Sequence, residues 1–242
     1  MSALSENFKF AFAHCSKPGR VQRARSVISV TALLLAVLLG TSGLARAQTQ
    51  AQAKTSSAPV ILIVGDSLSA EYGLKRGTGW VPLLEKQLAS EKKNARVVNA
   101  SISGDTTSGG RSRLPALLAQ HKPATVVIEL GGNDALRGLP LDMSEKNLSA
   151  MTQAAKQTGA KVLLVGMQVP PNYGSAYAAR FEQLFTQVAQ AENVALVPFF
   201  LKGIADAADP TVHFQADRTH PNEQSQARML ANVWPELKKL IK

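Results

Sequence analysis

Five short apolar runs recur along the chain: VILIV (residues 60–64), ARVVNAS (95–101), TVVIEL (125–130), KVLLVGM (161–167) and VALVPF (194–199). They are rich in β-branched residues and nearly continuous in hydrophobicity, the pattern of strands covered on both faces. Between them lie WVPLLEKQLAS, SRLPALLAQH, SEKNLSAMTQAAKQTG and SAYAARFEQLFTQVAQAEN, each with apolar residues at helical spacing. A last helix is expected from about Asn222 to Leu240. Strand starts fall roughly 30–35 residues apart, the length of a βαβ step. The pattern therefore predicts a three-layer α/β/α sandwich around a five-stranded parallel sheet, flavodoxin-like, with right-handed crossovers. No internal repeat or Pro/Gly/Ser-rich linker divides residues 59–242, so they are expected to form one domain.

The first sixty residues follow a different logic. Arg20, Arg23 and Arg25 precede the uncharged apolar run VISVTALLLAVLLG, and Ala45-Arg46-Ala47 offers an A-x-A cleavage site. That is a signal peptide over residues 1–47, with cleavage before Gln48, and residues 48–58 form a polar, disordered lead-in. The apolar run of about 14 residues is shorter than the roughly 17–25 that span a bilayer. An uncleaved anchor is the alternative; after cleavage no stable transmembrane insertion is expected. Either way the expected location is the periplasm or the outside of a bacterial cell. The single cysteine, Cys15, leaves with the leader, so an oxidising compartment finds no thiol to pair.

Charge also changes once the leader is removed. The leader holds six basic residues against Glu6, half of the formal net charge of +10. The remaining cations are interspersed with acids and aromatics make up only 5% of the chain, which argues against a nucleic-acid groove. Weak attraction to anionic lipid surfaces stays open. There is no G-x-x-x-x-G-K-[ST] or G-x-G-x-x-G loop and no zinc-ligand spacing, so neither cofactor nor catalytic metal is expected. A carboxylate site for a cation at Asp66, Asp105 and Asp134 is the weaker alternative.

In an open α/β sheet, ligands bind outside the carboxyl ends of the strands. Those ends read GDSLSAEYG, NASISGDTTSGG and LGGNDALRG, dense in glycine and short polar side chains. Ser67, after the first run, reads locally as a helix cap or turn residue, but the same position can hold a nucleophile with its hydroxyl exposed. A serine needs a base, and His121, His213 and His220 are the histidines beyond the leader. His121 falls at the opposite side of the sheet and His213 in a loop. His220 precedes Pro221, a good first residue for the last helix. Asp217 stands three residues before His220, where a tight turn can set a carboxylate beside the imidazole. Gly104 can bring a backbone N–H near a substrate oxygen, and Asn133 offers an amide; with the Ser67 N–H they make a plausible oxyanion hole.

The blocks GDSLSAEYG, NASISGDTTSGG, ELGGND and DRTHPN together resemble those of the GDSL or SGNH hydrolases, most closely the secreted bacterial thioesterase, lysophospholipase and arylesterase group. The resemblance covers nearly all of residues 59–240. It implies Ser67 as nucleophile, Asp217 and His220 as acid and base, and Gly104 and Asn133 as oxyanion donors. It further implies hydrolysis of small-molecule esters, thioesters and lysophospholipids through an acyl-enzyme. Glu71 stands where close relatives usually carry glycine, and TTSGGRSR (106–113) is less polar than expected; both bear on substrate preference. An apolar acyl or aryl pocket is expected from Tyr72, Leu136, Leu139, Pro170, Pro171, Tyr173 and Tyr177, with Glu71 at its mouth. The rival readings are a cell-envelope carbohydrate O-acetyl esterase and a non-catalytic lipid- or envelope-binding protein. Oligomeric state is open, a monomer being slightly favoured.

Overall fold

The computed structural model describes residues 58–241. The expected leader over residues 1–47, its cleavage site and the expected lead-in over residues 48–58 fall outside the described residues except for residue 58. The elements run β1 (Val60–Gly65), α1 (Trp80–Ser90), β2 (Arg96–Asn99), α2 (Thr107–His121), β3 (Thr125–Glu129), α3 (Gly132–Leu136), α4 (Leu141–Gln157), β4 (Lys161–Val165), α5 (Ser175–Glu192), β5 (Ala195–Val197) and α6 (Gln226–Leu240). All strand pairs are parallel, in the order β2-β1-β3-β4-β5.

Alternation along β1 divides the core into two layers, because successive side chains point to opposite faces of a sheet. Leu62 and Val64 join Val126, Ile128 and Leu164 under α2, α4 and α5, which contribute Leu114, Leu148, Met151, Phe181 and Phe185. Ile61 and Ile63 join Val127, Leu163 and Val165 under α1 and α6, which contribute Trp80, Leu84, Met229, Val233 and Leu237. Both faces of the sheet are thus covered, and the expected three-layer sandwich is the observed fold.

Several boundaries differ from the sequence reading. The edge strands are not covered on both faces: Arg96 and Asn99 of β2 are exposed, and Ala195 and Leu196 of β5 are half-buried. Helix α2 begins at Thr107 instead of near Ser112, so the glycine-rich TTSGG is a helical first turn and not a loop. Thr106 caps it by accepting from the Gly109 N–H. Gly110 is needed there, since a Cβ would stand 2.3 Å from Leu130 Cδ1. Helix α3 was not anticipated. Pro221 does not open the last helix; it forms an isolated antiparallel bridge with Phe214, Asn222 caps a 3-10 turn (Glu223–Ser225), and α6 starts at Gln226.

The order β2-β1-β3 means that the chain leaves β1 to one side and then returns to its other side. That reversal between β1 and β3 is the topological switch point, where the crossovers diverge and a crevice opens. Gly65 ends β1 opposite Glu129, the last residue of β3. Ser67 follows one of these ends by two residues and Asn133 the other by four.

Candidate active site

Beyond Gly65 the chain turns tightly: the N–H groups of Ser69 and Ala70 donate to the Asp66 carbonyl and that of Tyr72 to the Ser67 carbonyl. The next regular helix begins only at Trp80, so Ser67 caps no α-helix. Its Oγ lies 2.9 Å from His220 Nε2. His220 Nδ1 lies 2.7 Å from Asp217 Oδ2. The tautomer that serves both contacts carries its proton on Nδ1, donating to Asp217, and leaves Nε2 to accept from the Ser67 hydroxyl.

The DRTH turn builds this half of the site. Asp217 Oδ1 accepts from the N–H of Thr219 at 2.9 Å and of His220 at 3.0 Å. Arg218 between them adopts the left-handed region, with φ +56°. Burial alone would raise the Asp217 carboxyl, but the His220 and Thr219 amides and the His220 ring outweigh it and hold it down at about 2. One aspartate thus fixes both the backbone turn and the ring. Tyr72 lies against the other side of the imidazole, ring centroids 4.4 Å apart at 38°. Gln215 Nε2 donates to the carbonyls of Tyr72 (2.9 Å) and Pro221 (3.2 Å), joining the turn after β1 to the DRTH turn.

Asn133, in the first turn of α3, donates from Nδ2 to Asp66 Oδ2 at 3.0 Å. The other Asp66 oxygen accepts from the Leu68 N–H at 3.0 Å. Asp66 therefore decides which end of the Asn133 amide is which, leaving a second Nδ2 hydrogen for another acceptor. Burial pushes the Asp66 carboxyl up to about 6, against the lowering effects of the Leu68 amide, the His220 charge and Asn133; Asp105 adds to the rise. Gly104 has φ +80°, a backbone that only glycine adopts freely, and its carbonyl accepts from Arg137 Nη2 at 2.8 Å. The loop after β2 is drawn against the end of β1 by the Ile102 N–H, which donates to the Gly65 carbonyl at 3.0 Å. Arg113 reinforces it, donating to the Ala100 and Gly65 carbonyls and pairing with Asp105 at 2.7 Å.

Underneath sits a carboxyl that the sequence reading did not single out. Glu129 is buried, and its Oε2 accepts from Ser69 Oγ (2.7 Å) and the Asp66 N–H (3.4 Å). Ser69 Oγ in turn accepts from the Trp80 indole N–H at 3.1 Å. Burial, then the neighbouring Asp66 charge, push Glu129 well above the carboxylate range. An acid ending the otherwise apolar TVVIE was the available signal.

The rim residues divide. Glu71 does not face a pocket mouth: its Oε1 accepts from the N–H groups of Gly77 (2.9 Å) and Gly79 (2.8 Å), which folds it back onto its own loop. Tyr72, Leu136 and Tyr173 are exposed, Leu139 and Tyr177 half-buried, Pro170 exposed, and Pro171 opens a 3-10 turn. Tyr173 and Tyr177 stack with centroids 6.3 Å apart, and the Tyr177 hydroxyl donates to the Ala135 carbonyl, setting the β4 exit beside α3. Asp134 does not satisfy its own turn as local sequence suggested. It is buried and accepts from the Thr107 N–H and hydroxyl and the Ser144 hydroxyl. Asp66, Asp105 and Asp134 thus have separate partners, and among the described residues no group of three potential metal ligands converges. His121 ends α2, and His213 lends only its carbonyl to Asn222 and Ser225.

A Ser-His-Asp relay at the switch point of a parallel α/β/α sandwich defines the class of serine hydrolases. The chain belongs to the GDSL-like lipase/acylhydrolase family, whose model matches residues 63–228. It is an esterase of the serine-hydrolase type. It is 54% identical to Esterase TesA of Pseudomonas aeruginosa over 77% of this chain and 91% of that protein. It is 39% identical to the arylesterase of Vibrio mimicus, over 77% and 92%. It is 40% identical to thioesterase 1/protease 1/lysophospholipase L1 of Escherichia coli K12, over 72% and 80%. Among solved structures, a crystal structure of TesA superposes with a TM-score of 0.72, covering 75% of this chain and 99% of that one. The psychrotrophic esterase EstA from Pseudoalteromonas, inhibited by monoethylphosphonate, does so at 40% identity with a TM-score of 0.70, covering 74% and 97%.

Proposed function

We propose that Ser67 attacks the acyl carbonyl while His220 Nε2 takes its proton and Asp217 holds the imidazole. The tetrahedral oxyanion forms among the N–H groups of Ser67 and Gly104 and the Asn133 amide. His220 then protonates the leaving alcohol or thiol, and the acyl group stays on Ser67 Oγ. Water, deprotonated by His220, attacks that ester; collapse releases the acid and restores the serine hydroxyl. The observation that carries this reading is the continuous contact Asp217–His220–Ser67, at 2.7 and 2.9 Å, between segments 153 residues apart.

The substrates are aryl esters, acyl thioesters and lysophospholipids, supported by the names of the relatives above. The apolar rim of Tyr72, Leu136, Tyr173 and Tyr177 supports acyl and aryl groups over sugar acetates. The leader supports export to the periplasm or beyond, and no helix among the described residues is long and apolar enough to cross a membrane.

Ser67→Ala is expected to abolish hydrolysis of an aryl ester and labelling by a monoalkyl phosphonate, with the thermal unfolding midpoint retained. Hydrolysis near the parental rate in purified Ser67→Ala would overturn the assignment. A chain-length series with no gain in kcat/KM for longer or aromatic acyl groups would overturn the apolar pocket.

A further inference from the structure

The large apolar side chains standing out of the described surface are Tyr72, Ile102, Leu136, Met143, Tyr173 and Val212. Each lies in a segment between the carboxyl end of a strand and the first turn of the following helix: Tyr72 after β1, Ile102 after β2, Leu136 in α3 and Met143 in the first turn of α4 after β3, Tyr173 after β4, and Val212 in the 3-10 turn of the β5–α6 connection. No such side chain stands out from the outer faces of α1, α2, α5 or α6. A molecule whose exposed apolar groups were scattered would need no explanation, but their confinement to one rim does.

Contacts between the loops make this rim nearly continuous. Tyr173 stacks on Tyr177, which bonds the carbonyl next to Leu136. Arg137, after Leu136, bonds Gly104, two residues from Ile102. On the other side Tyr72 packs on His220, and Asn222 holds the Val212 carbonyl at 2.8 Å. The loops that carry these side chains are therefore tied to one another on both sides of the Ser67–His220 contact, with Tyr72 directly against the imidazole.

Charge on the same face is lopsided. Lys75, Arg76, Arg137 and Arg218 are exposed and make no ion pair among the described residues. Most rim acids are engaged: Glu71 with backbone amides, Asp105 with Arg113, Asp217 with His220, while Asp66 and Asp134 are buried; Glu223, exposed three residues after His220, has no ion pair among the described residues. Asp206 and Asp209, exposed in the β5–α6 connection, accept from the Gly203 and Thr211 amides and have Lys202 nearby in sequence. Apolar side chains with two tyrosines, flanked by unpaired lysine and arginine, match the headgroup region of a membrane in both polarity and sign.

We propose that the carboxyl rim is a docking face for an anionic phospholipid surface. The exposed apolar side chains enter the headgroup boundary, the four cations lie against lipid phosphates, and Ser67 faces the membrane. The docking rests on the surface alone and holds whichever acyl group the serine removes. Combined with the hydrolytic reading, it means that a lysophospholipid reaches the site from the lipid surface without first crossing water.

Purified protein is sedimented with phosphatidylcholine vesicles with and without phosphatidylglycerol. It is expected to partition onto the anionic vesicles and to be released by salt. Ile102→Ser and Val212→Ser should each lower the partition coefficient about tenfold, and the Lys75→Glu/Arg76→Glu pair should lower it at least as much. All these variants should hydrolyse a water-soluble short-chain aryl ester at the parental rate, which separates lost docking from lost fold. Ser67→Ala should bind vesicles like the parent, so failure of the hydrolytic reading leaves this test intact. Parent protein that binds neither vesicle, or variants that bind as well as the parent, would overturn the proposal. So would a dimer that the same substitutions dissociate, since the face would then belong to a second copy.

Discussion

Asp66 and Glu129 show how two acids at adjacent strand ends take different roles. Asp66, raised to about 6 by burial, is ionised at neutral pH and holds the Asn133 amide in one orientation. The native state keeps a proton on Asp66 that the unfolded chain has already released near pH 4, so stability declines as pH rises from about 4 to about 6. Urea unfolding across that range should show this slope, and Asp66→Asn should reduce it, the remainder coming from Glu129, whose raised carboxyl acts in the same sense. Above about 6 the ionised form orders Asn133, so kcat is expected to fall as Asp66 takes up its proton below that pH. Glu129 is pushed well above the carboxylate range by burial and the Asp66 charge, which disfavours its ionised form. Glu129→Gln, which keeps an oxygen acceptor for Ser69 and the Asp66 N–H, is expected to retain stability and most activity. Glu129→Ala leaves a cavity and two orphaned donors, with an expected loss of about 2–4 kcal/mol in urea unfolding. Equal loss in the two variants would count against Glu129 acting as an uncharged acceptor for these donors.

At the scale of elements, the site consists of two turns that never touch in sequence and are joined by side chains. Gln215 joins them through two carbonyls, and Gly73 lies so close that a Cβ would stand 2.0 Å from Gln215 Oε1. Gln215→Ala is expected to lower kcat by up to about 10²-fold with little change in KM, because a displaced imidazole affects the reacting geometry more than binding. Gln215→Glu should not rescue it, since it sets a carboxylate against two carbonyl oxygens. An unchanged kcat in Gln215→Ala would remove this role. These connections also show what the sequence could reveal. The strands were legible because burial on both faces leaves a continuous apolar run. Helix α3 was not: five residues carry no periodicity, and its stability comes from Asp134 receiving bonds from Thr107 and Ser144 on other helices. TTSGG read as a loop because glycine helix propensity is poor, and the close approach to Leu130 that favours Gly110 is a tertiary fact. Glu71 read as a charge at a mouth because nothing local reveals that Gly77 and Gly79 turn their amides toward it.

For the whole molecule, the strand order β2-β1-β3-β4-β5 puts Ser67 and Asn133 on the two sides of one crevice, and the α6 connection brings His220 over it. The Ser67 turn and most of the sheet beneath it lie on the amino side of β5, whereas Asp217 and His220, the proposed acid and base, arrive with the closing segment. That segment is anchored from below as well: buried Gln226 accepts from the Trp80 N–H and donates to the carbonyls of Pro221 and Asn222. A chain made or threaded amino end first therefore carries its serine long before it owns a base. Until residues near 217–226 settle onto the start of α1, the serine is an ordinary alcohol, and a chain in transit poses no hazard to the esters it passes.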